Sequence, residues 1–414
     1  MKRTLVLFDD STARAWHPFA LTRPAGELLF GAFLLRERAE GYWGAKCQGQ
    51  VCPDALAGFS EPGAGAVVQV SSLPTDSQRI FQSSRVALTG SPPKLPSAPA
   101  TLVVEGVPVG FVVPSGQPAP DSDLLLTPGI EPGTEIVELQ GMVLDAPWDL
   151  MGRNGQQLSA DIPRFFPGYA ADKIKGCHII GDGLLSLGSD VTIEPGSVFD
   201  VRNGPIRLSD DVVVKAHTRM EGPAFIGPGS TVLGGSLSEV SVGSVCKVRG
   251  EVECSVLLGF SNKAHDGFLG HAYVGRWVNL GAFTTNSDLK NNYGNVRVGG
   301  PDGPRDTGLM KVGCFLGDHV KTGIGTLLNT GTTVGAGSNI FGGQMPPTYV
   351  PPFSWGSGTN LTEFRLDKLL EIASRAMERR GVHLDAGMTA VLSRAWEESR
   401  HLRNLPESDP GSAS

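Results

Sequence analysis

Charged residues are scarce in this chain and aromatic ones scarcer: Asp, Glu, Lys and Arg make up 19% of its 414 residues, Phe, Trp and Tyr 7%. A formal net charge of −7 leaves no basic footprint for a nucleic-acid partner. The six cysteines (47, 52, 177, 246, 254 and 314) contain no CxxC pair. That spacing excludes the usual zinc ribbons and a disulfide framework, and predicts scattered reduced thiols. Long apolar runs are missing too, since Leu28–Leu35 falls far short of the ~20 residues that cross a bilayer. Met1-Lys2-Arg3 leads straight into a strand-like run ended by Asp9-Asp10, without the pattern of a secretory leader. A soluble cytoplasmic protein with no membrane insertion is expected. Disorder is excluded by the 40% of hydrophobic residues, enough to bury a sizeable core.

Glycine is what the chain has in excess, at 55 residues or about twice the usual ~7%. No strict glycine triplet runs through it, so collagen is excluded. Of these glycines 32 lie between Gly176 and Gly343, which marks a composition boundary. Inside it Leu316, Thr322, Leu328, Val334 and Ile340 recur every six residues, as do Val242, Val248, Cys254 and Phe260, and Ile206, Val212 and Thr218. Glycine directly follows many of these aliphatics, as in Ile226-Gly227, Val274-Gly275 and Leu316-Gly317. Period six with an aliphatic then a glycine is the hexapeptide repeat of a triangular prism, about 18 residues per coil, with the aliphatic inward. Glycine or asparagine is expected at corners that need positive φ.

The flanks read differently. Thr4–Phe8, Ala66–Val70, Arg85–Leu88, Leu102–Val104, Val109–Val113 and Ile136–Leu139 predict short strands, and Ala25–Glu40 predicts a helix, together an α/β layer domain. Asn360 and Glu363 form a capping-box pattern before a helix carrying Leu366, Leu369, Leu370 and Ala373, and a second helix is expected over Leu384–His401. The expected organisation is an α/β domain over 1–146, a linker over 147–175, the prism over 176–345, a C-terminal extension with two helices over 346–404 and a disordered tail over 405–414.

One segment breaks the repeat. Ser261–Gly294 packs two histidines, two lysines and five asparagines into a solenoid otherwise poor in such groups, which points to a site. His265 has the chemistry to take a proton from an attacking amine or hydroxyl; its alternative is a structural corner histidine. Lys263, Arg219 and Arg249 either neutralise a phosphate or form a solvated face. Asn279, Asn286, Asn291 and Asn292 either bind substrate hydroxyls or occupy left-handed corners.

Lys263-Ala264-His265, Phe268-Leu269-Gly270, Val274-Gly275 and Asn279-Leu280-Gly281-Ala282 resemble the acetyltransferase half of the bifunctional UDP-N-acetylglucosamine diphosphorylase/glucosamine-1-phosphate N-acetyltransferase group. The wider string through Asn286–Gly294, Thr307–Gly343 and Pro351–Gly356, with the opening Leu7–Glu27, is similar to a divergent bacterial branch of that group. The resemblance implies a diverged nucleotidyltransferase-like α/β domain followed by a left-handed parallel β-helix that trimerises. It also implies acetyl-CoA and an amino-sugar 1-phosphate meeting between subunits, in cell-envelope precursor synthesis. It puts His265 on the general base, Arg249 and Arg219 on phosphate-binding positions, and Asn279 on a sugar-binding asparagine. Asn292-Tyr293 falls on an Asn-Tyr pair near the amine, Ala282 on an acetyl contact, and Ile324 and Gly342 on the CoA channel. Two departures stand out: Phe268 replaces a tyrosine, and Phe283 replaces the glycine usual after Ala282. Substrate identity is open for that reason.

The N-terminal domain lacks the Gly-rich phosphate loop such nucleotidyltransferases carry after the first strand; Asp9-Asp10-Ser11-Thr12-Ala13-Arg14 stands there. Arg14, Arg23 and Lys46 are the phosphate candidates in this domain. Asp9 and Asp10 are weak candidates for Mg2+, needed only if nucleotidyl transfer survives. The sequence therefore predicts an acetyl-CoA-dependent N-acetyltransferase. Transfer of UTP or dTTP to a sugar 1-phosphate, and a non-catalytic sugar-nucleotide sensor or structural trimer, are the alternatives.

Overall fold

The computed structural model describes residues 3–168 and 174–403; the tail expected from 405 on lies outside the described residues. Two compact units divide the chain. The first takes the residues up to Leu28, then Phe33–Pro147 and Asp385–Ala395; the second takes Leu29–Ala32, Trp148–Leu384 and the residues from Trp396 on. No helix among the described residues is long and apolar enough to cross a membrane. All six cysteines are free thiols.

The first unit is built on a six-stranded mixed sheet in the order Cys47–Val51, Arg3–Phe8, Gln78–Ser83, Val107–Val113, Ala100–Val104 and Glu135–Leu139. The first three strands run parallel, and the hairpin Ala100–Val113 joins antiparallel. Alternation along Arg3–Phe8 sends Leu5 and Leu7 into one buried cluster and Val6 and Phe8 into another, as a strand covered on both faces requires. The helix predicted over Ala25–Glu40 is displaced to Leu35–Trp43, preceded by a single turn at Ala25–Glu27 and two short strands. Gly31 turns the chain at φ 65°. The buried Glu27 carboxylate is held by Arg36 at 2.6 Å, Gln50 at 2.8 Å and the Gly65 N–H at 2.9 Å. Tertiary partners thus outbid local helix propensity. The strand expected at Ala66–Val70 reduces to one bridge, Gln50 to Val67.

The second unit is a three-faced parallel β-helix. One face stacks nine strands from Leu185–Leu187 to Tyr349–Val350, and the others run from His178–Ile180 to Ser354–Ser357. Ile206 pairs with Ala224 and Cys314 with Thr332, eighteen residues on, while Ser241 pairs with Val256, fifteen on. The shorter coils explain one misread repeat. Val242 and Val248 point inward, but Cys254 and Phe260 fall at left-handed corners, φ 44° and 52°, and Val252 and Leu257 fill the core instead. The corners differ from expectation too. Glu239, Val245, Cys254, Phe260, His271, Trp277, Phe283 and His319 take positive φ, and none of Asn279, Asn286, Asn291 and Asn292 does. Stacking offsets part of that strain at one corner, where Phe260 and Trp277 lie 4.5 Å apart by ring centroid. Glycine is required where coils touch: a Cβ on Gly267, φ 129°, would stand 2.3 Å from the Thr284 carbonyl oxygen.

The longest step between paired strands among the described residues comes in the middle of the stack. Tyr273 pairs with Phe315, 42 residues on, so this coil carries an insertion, which leaves after Asn286 and returns at Cys314. It holds a small hairpin, Arg297–Val298 with Arg305–Asp306.

One expectation about the flanks is refined and one corrected. The stretch expected as linker from 147 carries two helices, Pro147–Gly152 and Asn154–Phe165. Leu150, Met151, Leu158 and Ile162 are buried, and Asn154 accepts from Gly31 N–H at 3.0 Å and Ser241 hydroxyl at 2.9 Å. Asn360 caps no helix: Asn360–Glu363 pairs antiparallel with Ser354–Ser357, and the helix begins at Leu366 and runs to Glu378. The second helix spans Ala386–Glu398.

Candidate active site

His265 lies at the corner between the strands Asn262–Lys263 and Phe268–Gly270. Its side chain is exposed and makes no hydrogen bond among the described residues. What positions it is Lys263, 2% exposed, whose ammonium donates to the carbonyls of Arg249 and His265. Burial lowers the Lys263 pKa to about 8, against a smaller upward pull from Asp266. Lys263 is therefore a strut under the His265 backbone rather than an open phosphate ligand. Arg249, half-exposed, pairs with Asp266 at 2.9 Å and donates to the Leu233 carbonyl at 3.0 Å. Asp266, next to His265 in sequence, is a site neighbour that residue-type reasoning missed.

The register sets a column. Asn262 pairs with Asn279, and Leu280 with Thr322, which pairs with Ile340. Two residues beyond Lys263, Leu280, Thr322 and Ile340 stand His265, Ala282, Ile324 and Gly342 on successive coils. Cross-coil bonds fix this alignment: Phe283 N–H donates to Asp266 carbonyl at 3.1 Å, and Gly325 N–H to Ala282 carbonyl at 2.8 Å. At ~4.8 Å per coil the column is about 14 Å long. Ile324 is 75% exposed and Phe283 64%, so within one chain the Phe283 ring stands outward and does not fill the column.

Other candidates separate. Asn279 is exposed and accepts from Asn262 at 3.2 Å. Asn286 is buried, and its amide is spent on Gly270, accepting from N–H at 3.0 Å and donating to C=O at 2.9 Å; it clips two coils together. Phe268 is half-buried, its N–H donating to Thr285 hydroxyl. Arg219 lies in the column of Phe268 but three coils away, paired with Glu221 at 2.6 Å and Asp200 at 2.9 Å. Asn291, Asn292 and Tyr293 are exposed in the insertion, rooted at a different corner from His265, and Asn292 accepts from Gly294 N–H.

In the first unit, a cavity of about 820 Å³ opens at the ends of Cys47–Val51 and neighbouring strands, lined by Arg14, Cys52, Gln69, Arg79 and Asp121 among others. Arg14 lines it, as a phosphate ligand would. Arg23 does not, being buried against Glu61 at 3.2 Å, and Lys46 is exposed beside Glu40. Arg79, near the start of the strand Gln78–Ser83 and outside any motif, was illegible in sequence; it is buried, and its Nε has no partner among the described residues. The acidic pair is buried. Asp10 caps the turn Ser11–Arg14 and accepts from Ser83 at 2.9 Å and Arg85 at 2.7 Å. Asp9 accepts from the Ala25 N–H at 3.1 Å, and burial pushes its carboxyl up to about 6.

Residues 5–168 match the family model of a sugar nucleotidyl transferase. Bifunctional protein GlmU of Nitrosospira multiformis is 26% identical over 47% of this chain and 45% of its own length. A second such protein, from Paraburkholderia phymatum, is 29% identical over 50% and 49%. Over about half of its length the chain is similar to this group. It spans about half the length of these curated relatives. The bifunctional sugar-1-phosphate nucleotidylyltransferase/acetyltransferase of Sulfurisphaera tokodaii is 32% identical over 23% of this chain and 24% of its own. Among solved structures, an Arabidopsis UDP-N-acetylglucosamine acyltransferase covers 56% of this chain and 98% of its own at 11% identity and a TM-score of 0.25. At that score the strand register above, not the superposition, establishes the fold.

Proposed function

We propose that the chain is an acetyl-CoA-dependent N-acetyltransferase acting on an amino-sugar 1-phosphate, with His265 as general base. The observation that carries the reading is the column His265–Ala282–Ile324–Gly342, an elongated track with an unpaired imidazole at one end, in a chain related to the bifunctional GlmU proteins. The amine attacks the thioester carbonyl, forming the N–C bond. His265 takes the amine proton, a backbone N–H stabilises the oxyanion, and collapse breaks the C–S bond, the proton passing to the leaving thiolate. Lys263 holds the His265 backbone, and Arg249 meets the phosphate after release from Asp266. Ala282 lies where the acetyl group would sit, and Ile324 and Gly342 along the CoA arm. Exposed Phe283, Ile324 and Leu327 sit on adjoining coils, an apolar surface suited to a homotrimer contact.

The test is CoA-thiol release with acetyl-CoA and a panel of amino-sugar phosphates. His265→Ala should lower kcat about 10²–10⁴-fold with the fold intact by circular dichroism. Equal release from both proteins, or none with any acceptor, sinks the proposal. A second reading rests on the Arg14–Arg79 cavity and the sugar nucleotidyl transferase match. Pyrophosphate release from UTP or dTTP with a sugar 1-phosphate, lost in Arg79→Ala, would establish it.

A further inference from the structure

A different corner of the β-helix, away from the His265 column, stacks side chains of another chemistry. Glu239, Cys254 and His271 occupy the same left-handed position on successive coils, at φ 51°, 44° and 47°. The ladder is tied by Cys254 N–H to Ser238 carbonyl and His271 N–H to Glu253 carbonyl, each 3.0 Å. One donor atom each from Glu253, Cys254 and His271 lie within 4.8 Å of one another. The Cys254 thiol is 3.6 Å from a Glu239 carboxylate oxygen, and His271 Nδ1 is 2.7 Å from Asp288.

We propose that Glu253, Cys254 and His271 form a binding site for a borderline-soft divalent cation of the zinc class, with Glu239 as fourth ligand. A thiolate, an imidazole and a carboxylate are the donor set such ions take in tetrahedral sites. Asp288 on Nδ1 is the carboxylate that orients a ligating imidazole and fixes its tautomer, leaving Nε2 to coordinate. Three carboxylates, Glu239, Glu253 and Asp288, face this corner with one ammonium, Lys311, 3.6 Å from Glu253, so the corner has negative charge to spare. Bond lengths of ~2.3 Å to sulfur and ~2.0 Å to nitrogen put ligands about 3.5 Å apart. In closing from the observed spacing, Glu253 would turn away from Lys311. Binding forms the metal–sulfur bond and releases the Cys254 proton to solvent.

The site has a structural consequence. Asp288 and Lys311 flank the two ends of the insertion, where Val312 N–H donates to Asp288 carbonyl at 2.8 Å. A cation here would pin the root of the inserted loop to the two coils beneath it.

The test uses the full chain, stripped with chelator and titrated with Co2+ as the optical probe. One equivalent should give a thiolate-to-cobalt charge-transfer band with tetrahedral d–d intensity, displaced by Zn2+. Cys254→Ser should remove the band, and Asp288→Asn should weaken Co2+ binding about 10–100-fold. His271→Gln, with its fold checked by circular dichroism, gives a second readout in case the serine variant does not fold. Absence of a thiolate band, or a band that survives Cys254→Ser and disappears in Cys177→Ser, overturns the proposal.

Discussion

Lys263 is the residue whose environment differs most from its place in the sequence. Next to His265 it looks like a phosphate ligand; in the fold it is an ammonium buried under two carbonyls, its pKa lowered from 10.5 to about 8. The sign for stability follows from proton counting. Between about pH 8 and 10.5 the unfolded chain holds the proton that the folded one has released, so this group makes stability rise with pH across that window and adds nothing to the slope below it. Urea-unfolding midpoints followed from pH 7 to 10 should rise less in Lys263→Met than in the wild type. Parallel curves for the two proteins would refute the buried-ammonium assignment. The same substitution leaves the Arg249 and His265 carbonyls without a donor, about 1–3 kcal/mol for each group left unpaired.

At the scale of elements, the β-helix was readable because its period is physical: each inward aliphatic recurs where the coil turns back over itself. Leu316, Leu328, Val334 and Ile340 are all buried in one cluster. Leu316→Ala should cost about 2–5 kcal/mol, measured as a shift in unfolding midpoint; less than 1 kcal/mol would mean the coil is not closely packed there. Legibility ended where coil length changed. Cys254 and Phe260 keep period six in sequence, yet fifteen-residue coils move them to corners. The Ala25–Glu40 pattern has helical spacing, but Glu27 and Gly31 answer to partners far along the chain. In the site, His265 and Ala282, given roles by the resemblance and not by the period of six, share a column by register, whereas for Asn286, read as either a hydroxyl ligand or a left-handed corner, nothing local says that its amide faces another coil's backbone. Arg79 gave no signal, being one arginine in an ordinary strand.

For the whole molecule, we propose that a neighbouring copy completes the site. Ile324 stands in the His265 column, and Phe283 and Leu327 are exposed on the same two adjoining coils; we propose that one contact buries all three and completes the acyl track. Sedimentation equilibrium should return three times the 43.6 kDa chain mass, and Ile324→Asp should yield monomer with acetyl transfer lost in parallel. A monomeric wild type that is fully active would show that one chain suffices. The 42-residue step from Tyr273 to Phe315 bears on how such a molecule changes over time. In a stack where each coil answers only to its neighbours, a segment that leaves one corner and rejoins the next face in register is a free parameter. It can lengthen, shorten or be exchanged while the coils above and below keep their partners. Sequence can therefore vary at that one corner without renegotiating the rest of the fold.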